Sequence, residues 1–348
     1  MLTSNSSRLA YIDALRGLAM IIVVFGHVET YGFFNFSYTT ILGNLFQSVQ
    51  MPLFFFISGF VVYKERPVRN WSKFFSLVVK KAQQLLLPAL VVGLIYTYTK
   101  SGTEFNEFIS DAAKKGYWFT ISLFEMFLIY YFMSALFNRY EKDGLWVLLA
   151  ISFICFLMKL PFKAYPWLNE IGNYTSLHFT FNHFQFMVIG MLTRKYFNII
   201  VSMLERQMVK TMTILIFFLL FYLQITLSPM GGMVGKVVDT ILECGIAYPS
   251  IYLLFMLFNR HYESSFMNGA LEYVGKRTLD IYLLHYFLLP ALPMVGEFLK
   301  SYPNVILECL VGFTLAILIV IVALFISRII RVSQVLGMLV LGANKSSK

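Results

Sequence analysis

Long apolar runs recur along the whole chain, and they limit its fold more than any other feature. Several of them hold about 18 or more mostly apolar residues, so each can cross a hydrocarbon layer of about 30 Å as a helix rising about 1.5 Å per residue. Hydrophobic residues fill 58% of the 348 positions and charged residues only 13%. That charged share is about half of what water-soluble domains carry. The sequence therefore predicts an all-α fold, a polytopic integral membrane helix bundle.

Ten membrane-spanning helices are predicted, joined by brief connections into a single domain over residues 1–348. After the last helix, basic and apolar positions alternate within about 329–348, which is typical of an amphipathic tail in the inner interface of the membrane. The first apolar run contains Asp13 and Arg16 and lacks a small-residue cleavage site after it. We therefore expect a retained helix and not a removed signal peptide. The predicted spans are 9–31, 44–63, 82–99, 117–137, 144–160, 177–197, 209–228, 238–258, 278–299 and 303–328.

The positions of lysine and arginine predict the orientation of the chain in the membrane. With the N-terminus in the cytoplasm, 20 of the 28 basic residues fall in cytoplasmic segments, seven fall in the opposite loops, and Arg16 lies within the membrane. Cytoplasmic loops of membrane proteins carry such an excess. We therefore expect a multi-pass protein of the inner cell membrane with both termini in the cytoplasm. No nucleic-acid partner is expected, because the basic residues are not gathered with aromatic residues on one polar segment.

The segment from Lys64 to Lys81 contributes six of the cytoplasmic basic residues. One interpretation is a topology anchor, with Lys80 and Lys81 at the interface just before the third helix. The other is a dock for an anionic, phosphate-bearing ligand from the cytoplasm, since such ligands need cationic partners. The two interpretations are compatible, and Lys64, Lys80 and Lys81 are the residues that we assign to ligand binding.

The first predicted helix carries Asp13, Arg16 and His27, followed by Glu29 near its outer end, and each ionisable residue needs a partner, a cavity or a function inside the membrane. Arg16 and His27 are eleven residues apart, which is about 20° beyond three full helical turns. They therefore share one helix face, about 16 Å apart along the axis. This arrangement suits two parts of one long ligand or two ends of a polar channel. In the structural alternative, Arg16 pairs with Asp13, and His27 forms a hydrogen bond with a neighbouring helix.

Other ionisable residues inside predicted spans are weaker candidates. His285 lies in the ninth helix and Glu125 in the fourth, and either can serve a site or a structural pair. Glu308 is expected to be a paired structural group. No metal site is predicted, because His178 and His183 are five residues apart and not three or four, and no carboxylate stands at a binding spacing.

Five patches of the chain, taken in order, resemble the membrane acyltransferase-3 family. The first contains the family's signature, an arginine, ten residues and a histidine, as Arg16 and His27. The other four resemble the family's second, fourth, sixth and ninth helices. One arginine–histidine spacing would be weak support, but five ordered patches cover most of the chain. The patches are 11–27, 51–60, 117–119, 184–192 with Gly190, and 282–285.

One feature departs from the family. Members often place two arginines three residues apart just before a Leu-x-x-Pro sequence in the third helix, whereas Lys81 and Gln84 stand before that sequence in this chain. If those arginines hold the donor in the family, the resemblance implies that Lys80 and Lys81 hold it here. Lysine offers a point charge and not a planar fork of donors.

The resemblance implies transfer of an acyl group, usually acetyl from acetyl-coenzyme A, to a hydroxyl or amine of a sugar. Typical acceptors in the family are cell-surface glycans or their lipid-linked precursors. We therefore expect an O-acetyltransferase of the cell envelope. Its expected partners are acyl-coenzyme A as donor co-substrate, a glycan or lipid-linked saccharide as acceptor, and membrane lipids, with no metal cofactor.

Acyl transfer to a hydroxyl needs a base and a group that stabilises the oxyanion. Histidine suits the first task at neutral pH, so His27 is the candidate general base or, alternatively, a nucleophile that carries the acyl group briefly. Arg16 lies too far from His27 to hold the same carbonyl, so it is assigned to donor binding or to a polar path. Ser58 is the candidate donor to the oxyanion or the substrate, His285 is a candidate partner of His27, and Asp13 and Glu125 are assigned supporting roles.

Two other functional classes stay open. A transporter or flippase of glycan intermediates would also line its route with buried charges. The sequence shows no matched pair of broken helices that would indicate the inverted halves of such a protein. A membrane sensor or scaffold is the third class. Consumption of acetyl-coenzyme A only in the presence of a glycan would distinguish the enzyme from both.

Overall fold

The computed structural model describes residues 10–34, 40–65, 67–102, 104–138, 144–227, 232–262 and 265–343. These residues are mostly helical and contain no strand, which confirms the predicted all-α fold. The α-helices are α1 (Ala10–His27), α2 (Ile41–Val62), α3 (Trp71–Lys81), α4 (Leu87–Tyr96), α5 (Phe105–Ser110), α6 (Trp118–Asn138), α7 (Leu145–Ala164), α8 (Pro166–Thr175), α9 (Leu177–Lys195), α10 (Phe197–Leu204), α11 (Gln207–Leu227), α12 (Gly232–His261), α13 (Phe266–Gly275), α14 (Thr278–Leu288), α15 (Pro293–Ser301), α16 (Val305–Ile330) and α17 (Gln334–Leu341). Shorter turns are the π-helical Val28–Gly32, Ala82–Leu86 and Thr97–Ser101 and the 3-10 turn Lys114–Gly116.

Helices occupy each of the ten predicted spans, but the number ten stays a prediction. Seven helices of the described chain are long and apolar enough to cross a membrane, or up to nine spans if each of two bent pairs counts as one. Two pairs, α9 with α10 and α14 with α15, meet that criterion only together, and the chain bends by more than 40° within each pair. The remaining predicted span, 144–160, is the shorter apolar stretch Leu145–Lys159 of α7. The seven long helices are Ala10–Gly32, Leu42–Val62, Trp71–Lys100, Trp118–Asn138, Gln207–Leu227, Val237–Arg260 and Val305–Ile330.

The bent pair α14 with α15 corrects the sequence analysis, which expected one continuous helix over 278–299. α14 ends at Leu288, and α15 begins only at Pro293. Pro290 lacks the N–H that would continue the helical hydrogen bonds and disfavours helical backbone at the residue before it, so α14 ends ahead of Pro290, and Pro293 begins α15. The bends fall in the sixth and ninth of ten predicted spans. These are not corresponding positions in two halves of five, so the bends do not indicate inverted repeats.

The third span begins earlier than predicted. The Asn70 side chain accepts a hydrogen bond from the N–H of Lys73 at 2.8 Å and caps the start of α3. The helical chain then continues from Trp71 to Lys100 through two π-helical turns. Lys80 and Lys81 therefore lie inside a helix and not in an entry that precedes it.

Two compact units are distinguished by their internal packing, and each combines several segments of the chain. The predicted single domain over 1–348 stays a prediction. The first unit comprises Met1–Phe54, Tyr196–Thr278 and Leu289–Val322, and the second comprises Phe55–Lys195, Leu279–Leu288 and Ala323–Lys348.

In the first unit, two glycines bring α1 and α13 into backbone contact. A Cβ added at Gly17 would overlap the carbonyl oxygen of Leu271, and one at Gly275 would overlap the carbonyl oxygen of Asp13. Small residues permit such close approach between membrane helices. The contact fixes the turn of α1 that carries Arg16.

The other end of α1 is held by residues 289–296 of the same unit. The N–H of Leu292 donates to the carbonyl oxygen of Gly32 at 2.8 Å. Gly296 packs so closely against the carbonyl oxygen of Phe33 that a side chain at this position would overlap it. The π-helical turn that follows His27 is therefore stabilised by residues far away in the sequence.

In the second unit, another pair of glycines joins α2 to α9. A Cβ at Gly59 would overlap the carbonyl oxygen of Met187, and a Cβ at Gly190 would overlap that of Phe56. These glycines belong to two of the patches that resemble the acyltransferase-3 family. Ser58, a candidate site residue, directly precedes the contact and is partly exposed.

The C-terminal part of the second unit is attached to α14 by a buried carboxylate. Asp280 accepts hydrogen bonds from Arg331 and from the Ser327 hydroxyl. The predicted amphipathic tail contains α17, whose start is capped by the Ser333 side chain and whose last residue, Leu341, is buried. Residues 344–348 of the predicted tail lie outside the described residues.

Candidate active site

Two titratable side chains interrupt the mostly buried surface of α1. Arg16 and His27 are each partly exposed, whereas Met20 and Val23, which lie between them on about the same face, are buried. Because α1 is one unbroken helix, the spacing places the two side chains within about 20° of each other around its axis. Their assignment as site residues stays a prediction.

Arg16 is held between a carboxylate and a hydroxyl of the first unit. Its Nη2 donates to Thr278 Oγ1 at 3.3 Å, and its Nη1 lies 4.0 Å from Asp13 Oδ1. Asp13 is buried, whereas the Arg16 side chain keeps 28% of its surface exposed. A separation of 4.0 Å is the outer limit of an ion pair, so this contact is weaker than a close bidentate pair.

His27 lies where the geometry of the first helix changes. It is the last residue of α1, and the π-helical turn Val28–Gly32 follows it directly. Its ring meets the ring of Tyr31 edge to face, with centroids 5.6 Å apart. Single π-helical turns are rare and are frequent at functional sites. The local backbone thus marks the same position that the arginine–histidine spacing indicated.

Glu29, two residues after His27 in the chain, belongs to a buried pair of carboxyl groups. Glu29 is fully buried and Glu308, near the start of α16, is nearly so. Their carboxyl groups interact, and no other described residue donates a hydrogen bond to either oxygen of Glu29. The structural partner expected for Glu308 is therefore Glu29.

In the second unit, His285 is fully buried in α14. Its Nδ1 lies 2.8 Å from the carbonyl oxygen of Tyr282 and 3.1 Å from that of Ile281. A carbonyl oxygen only accepts, so we assign the ring proton to Nδ1, and Nε2 is the nitrogen able to accept a proton. The ring of Tyr286 packs beside it, with centroids 4.2 Å apart.

Two of the family-like patches meet beside His285. The Tyr282 hydroxyl donates to the carbonyl oxygen of Gly116 at 2.6 Å and accepts from the N–H of Phe119 at 3.2 Å. The Tyr117 hydroxyl donates to the carbonyl oxygen of Leu283 at 3.2 Å. These bonds fix the helical turn that carries His285.

Glu125 is placed by a hydroxyl in the same unit. Its Oε2 accepts a hydrogen bond from Thr180 Oγ1, and the nearby ammonium group of Lys114 interacts with it electrostatically. Thr180 lies 55 positions from Glu125, so the pair could not be recognised from sequence spacing. This arrangement supports a structural or positioning role for Glu125.

Lys114 is a nearly fully buried cation that the sequence analysis did not single out. Its Nζ donates to the carbonyl oxygens of Ile109 and Asp111, each at 2.8 Å, and of Asn173 at 2.5 Å. Burial lowers the pKa of Lys114 to about 8, although the carboxylates of Asp111 and Glu125 act in the opposite direction. Lys114 also has a φ of 48°, in the left-handed region that few side chains adopt. No sequence pattern indicated this conformation.

The lysines predicted to bind the donor have different environments in the second unit. Lys64 and Lys80 are exposed, and the backbone N–H and carbonyl of Lys64 form hydrogen bonds of 3.3 and 3.1 Å with the Tyr130 hydroxyl. Lys81 is half-buried, with its Nζ 4.3 Å from the centre of the Phe127 ring, a cation–π contact. Because successive helical residues point about 100° apart, Lys80 and Lys81 face different surroundings.

The structure gathers the candidate residues into local sets, and none of these sets resembles a metal site. Asp13 and Arg16 are joined to Thr278, and Glu125 is joined to Thr180. Across the part of the chain that the structure describes, no group of three or more His, Cys, Asp or Glu side chains is arranged to hold a metal ion. The expectation that the protein uses no metal stays a prediction.

The fold and the first helix together define an integral membrane protein that keeps an arginine and a histidine on one face of a spanning helix. The family model described as an acyltransferase domain matches residues 9–331, nearly the whole chain. The chain therefore belongs to the acyltransferase-3 family and is a membrane acyltransferase. Searches of curated proteins and of solved structures each found no match.

Proposed function

We propose that this membrane acyltransferase moves an acetyl group from acetyl-coenzyme A to a hydroxyl of a cell-surface glycan or of its lipid-linked precursor. The proposal places it in the inner cell membrane with both termini in the cytoplasm, where the donor is available. The observation that supports it most is the partial exposure of Arg16 and His27 on one face of α1, whose intervening residues are buried. Ionisable groups inside a spanning helix are costly, so accessible ones indicate a function.

His27 is proposed to act on the acceptor hydroxyl. As a general base, it takes the hydroxyl proton while the acceptor oxygen attacks the thioester carbonyl, and coenzyme A leaves as the thiol after it receives that proton. In the alternative route, the neutral His27 ring attacks the thioester carbonyl, and coenzyme A leaves as the thiolate. The acceptor oxygen then attacks the acyl-imidazole, the His27 ring is released, and the hydroxyl proton passes to the thiolate. Either route needs an accessible ring nitrogen near neutral pH, which histidine provides.

Arg16 is proposed to bind the donor or to line the polar path that leads to His27. Its distance of about 16 Å along α1 excludes contact with the same carbonyl group. Its long contact with Asp13 and its hydrogen bond with Thr278 orient the guanidinium. A guanidinium in this position can bind a phosphate of an extended donor by two parallel hydrogen bonds.

The remaining candidates are proposed to assist. Lys64 and Lys80 are exposed and suit the phosphates of coenzyme A, and Lys81 would join them only by leaving the ring of Phe127. Ser58 is proposed to donate to the oxyanion or the substrate, and Asp13, Glu125 and His285 are proposed to position the reacting groups.

The decisive experiment measures release of free coenzyme A by purified protein in lipid nanodiscs. Acetyl-coenzyme A is supplied with and without a glycan extract of the native cell envelope, and the glycan is analysed for new acetyl esters. The proposal predicts glycan-dependent release and a matching amount of acetyl ester, both lost in His27→Ala protein. Movement of a labelled glycan across the bilayer without consumption of acetyl-coenzyme A would contradict the proposal and favour the transporter.

A further inference from the structure

A narrow cleft of about 200 Å³ lies between α11 and α12 in the first unit. α11 contributes Lys210, Thr213 and Ile214 to its lining, and α12 contributes a stripe that includes Leu253, Met256 and Arg260. The cleft therefore joins the beginning of α11 to the end of α12. None of the residues that line it is acidic.

Its two cations stand at one end. Lys210 is in the first turn of α11, which begins at Gln207, and Arg260 ends the apolar span Val237–Arg260. Neither forms an ion pair with another described residue. Helix ends with basic residues lie where the hydrocarbon layer gives way to the headgroups. The cleft thus presents two positive charges at headgroup depth.

Apart from Thr213 and Tyr252, the other residues that line the cleft are apolar, and they extend along the helices into the span. Leu253, Met256 and Arg260 are spaced by three and four residues, so they lie on one face of α12 over about 10 Å. Ile214 of α11 forms part of the opposite wall. A ligand that fills this cleft needs an anionic end and an apolar body beside it.

The surroundings of the cleft favour access from the lipid. Only 6% of the apolar stretch of α11 is buried, the lowest share among the seven long spans. Side chains of α11 such as Phe218 and Tyr222 are 62% and 64% exposed. Leu257, at the edge of the cleft, is 53% exposed. A water-soluble anion gains nothing from such a wall, whereas a membrane lipid buries its acyl chain there.

We propose that this cleft is a binding site for an anionic glycerophospholipid. The phosphate interacts with Lys210 and Arg260, and one acyl chain lies along Leu253 and Met256. Basic pockets between spanning helices bind anionic headgroups in this way. The site consists of first-unit residues that have no part in the proposed acetyl transfer, so it can be tested independently of that activity.

Native mass spectrometry of the purified, delipidated protein provides the test. The probes are phosphatidylglycerol, phosphatidylcholine with the same acyl chains, and glycerol 3-phosphate as the headgroup alone. Wild-type protein should bind phosphatidylglycerol more tightly than phosphatidylcholine, and glycerol 3-phosphate should not compete. In the double variant Lys210→Gln, Arg260→Gln the affinity for phosphatidylglycerol should fall about 25-fold, at about fivefold for each cation.

A matched variant removes two exposed cations elsewhere, Lys73→Gln with Arg328→Gln, and should keep the wild-type preference. A second readout is thermal unfolding, because a lipid that binds only the folded state raises the melting temperature. Phosphatidylglycerol should raise it in wild-type and matched-variant protein but not in the cleft variant. Equal affinity for both lipids, an unchanged cleft variant, or competition by glycerol 3-phosphate would each overturn the proposal.

Discussion

Arg331 donates two hydrogen bonds of 2.8 Å to the buried carboxylate of Asp280, one from Nε and one from Nη2. Removing the guanidinium would leave Asp280 buried with only the Ser327 hydroxyl. Breaking a buried pair costs about 3–5 kcal/mol, and we expect the lower end for Arg331→Gln because Arg331 is 33% exposed. Thermal unfolding in detergent measures this loss of stability. Arg328→Gln, which removes an exposed cation, is the control and should unfold like wild type.

The pair can also be tested by removing both charges. Arg331→Gln combined with Asp280→Asn should be more stable than Arg331→Gln alone, because no buried charge is then left without a partner. If Arg331→Gln and the double variant both unfold at the wild-type temperature, the ion pair has no role in stability.

Gly17→Ala should destabilise the protein by about 2–3 kcal/mol. The added methyl group would overlap the carbonyl oxygen of Leu271, so α1 and α13 must separate. Gly269→Ala is a matched control on α13, because its Cβ would meet nothing within 4 Å. That control should leave stability unchanged or raise it by up to about 1 kcal/mol. Equal melting temperatures for the two variants would contradict the backbone contact.

His27→Ala should lower acetyl transfer by about 10²–10⁴-fold while the protein stays folded. Glu29, the nearest titratable residue in the chain, is fully buried in the π-helical turn Val28–Gly32 and interacts with Glu308. It therefore cannot replace the base. Transfer to the native glycan is measured beside thermal unfolding, and wild-type rates from folded variant protein would rule out His27 as the base or acyl carrier.

Arg16→Lys should retain a small residual rate. Lysine keeps the positive charge but loses the planar group that donates to Thr278 and also approaches Asp13. We expect a higher KM for acetyl-coenzyme A if Arg16 binds the donor, and a lower kcat with an unchanged KM if it lines the path. Unaltered kinetics would leave Arg16 with a structural role alone.

The exposed lysines should matter more for donor binding than the half-buried one. Lys80→Gln and Lys64→Gln should each raise the apparent KM for acetyl-coenzyme A, whereas Lys81→Gln should mainly lower stability because Lys81 contacts the Phe127 ring. Steady-state kinetics with the donor varied provides the measurement. If none of the three variants changes the KM, only the topology-anchor interpretation is left for this segment.

Lys114 should give the protein an unusual pH dependence. Its pKa is lowered from 10.5 to about 8 in the folded state, so between these values the unfolded chain binds more protons than the folded one, and stability rises with pH. Lys114→Met should lack this rise and should also be less stable at neutral pH, because it leaves three carbonyl oxygens without their donor. Thermal unfolding at pH 7.5 and pH 10 compares the two proteins. If the stability advantage of wild type over Lys114→Met becomes smaller as the pH rises, the lowered pKa of Lys114 is contradicted.

The sequence predicted the features that depend on neighbours in the chain. Apolar runs located the spans, and the spacing of Arg16 and His27 fixed their shared face because one helix carries both. Prolines mark where α14 ends, yet a hydropathy pattern does not distinguish a straight helix from a bent pair. The sequence analysis did not predict the early start of the third span, because Asn70, the cap of α3, follows a polar and basic segment whose composition is typical of a loop.

Contacts between distant segments could not be predicted in the same way. Thr278 lies 262 positions from Arg16, and Glu29 pairs with a carboxyl group in α16. Such partners depend on how helices pack, which no spacing in one helix records. Gly17 and Gly275 were visible as small residues, but only the structure identifies the carbonyl oxygens that they approach.

The hydrogen bond from Leu292 to Gly32 has a consequence for biosynthesis. A ribosome makes α1 first, yet the π-helical turn beside His27 receives this partner only after about 260 further residues have been added. The helix that carries Arg16 and His27 is inserted early and acquires its final geometry late. We expect a nascent chain that stops before residue 289 to carry both residues and to be inactive, because it lacks the segment that stabilises the turn beside His27.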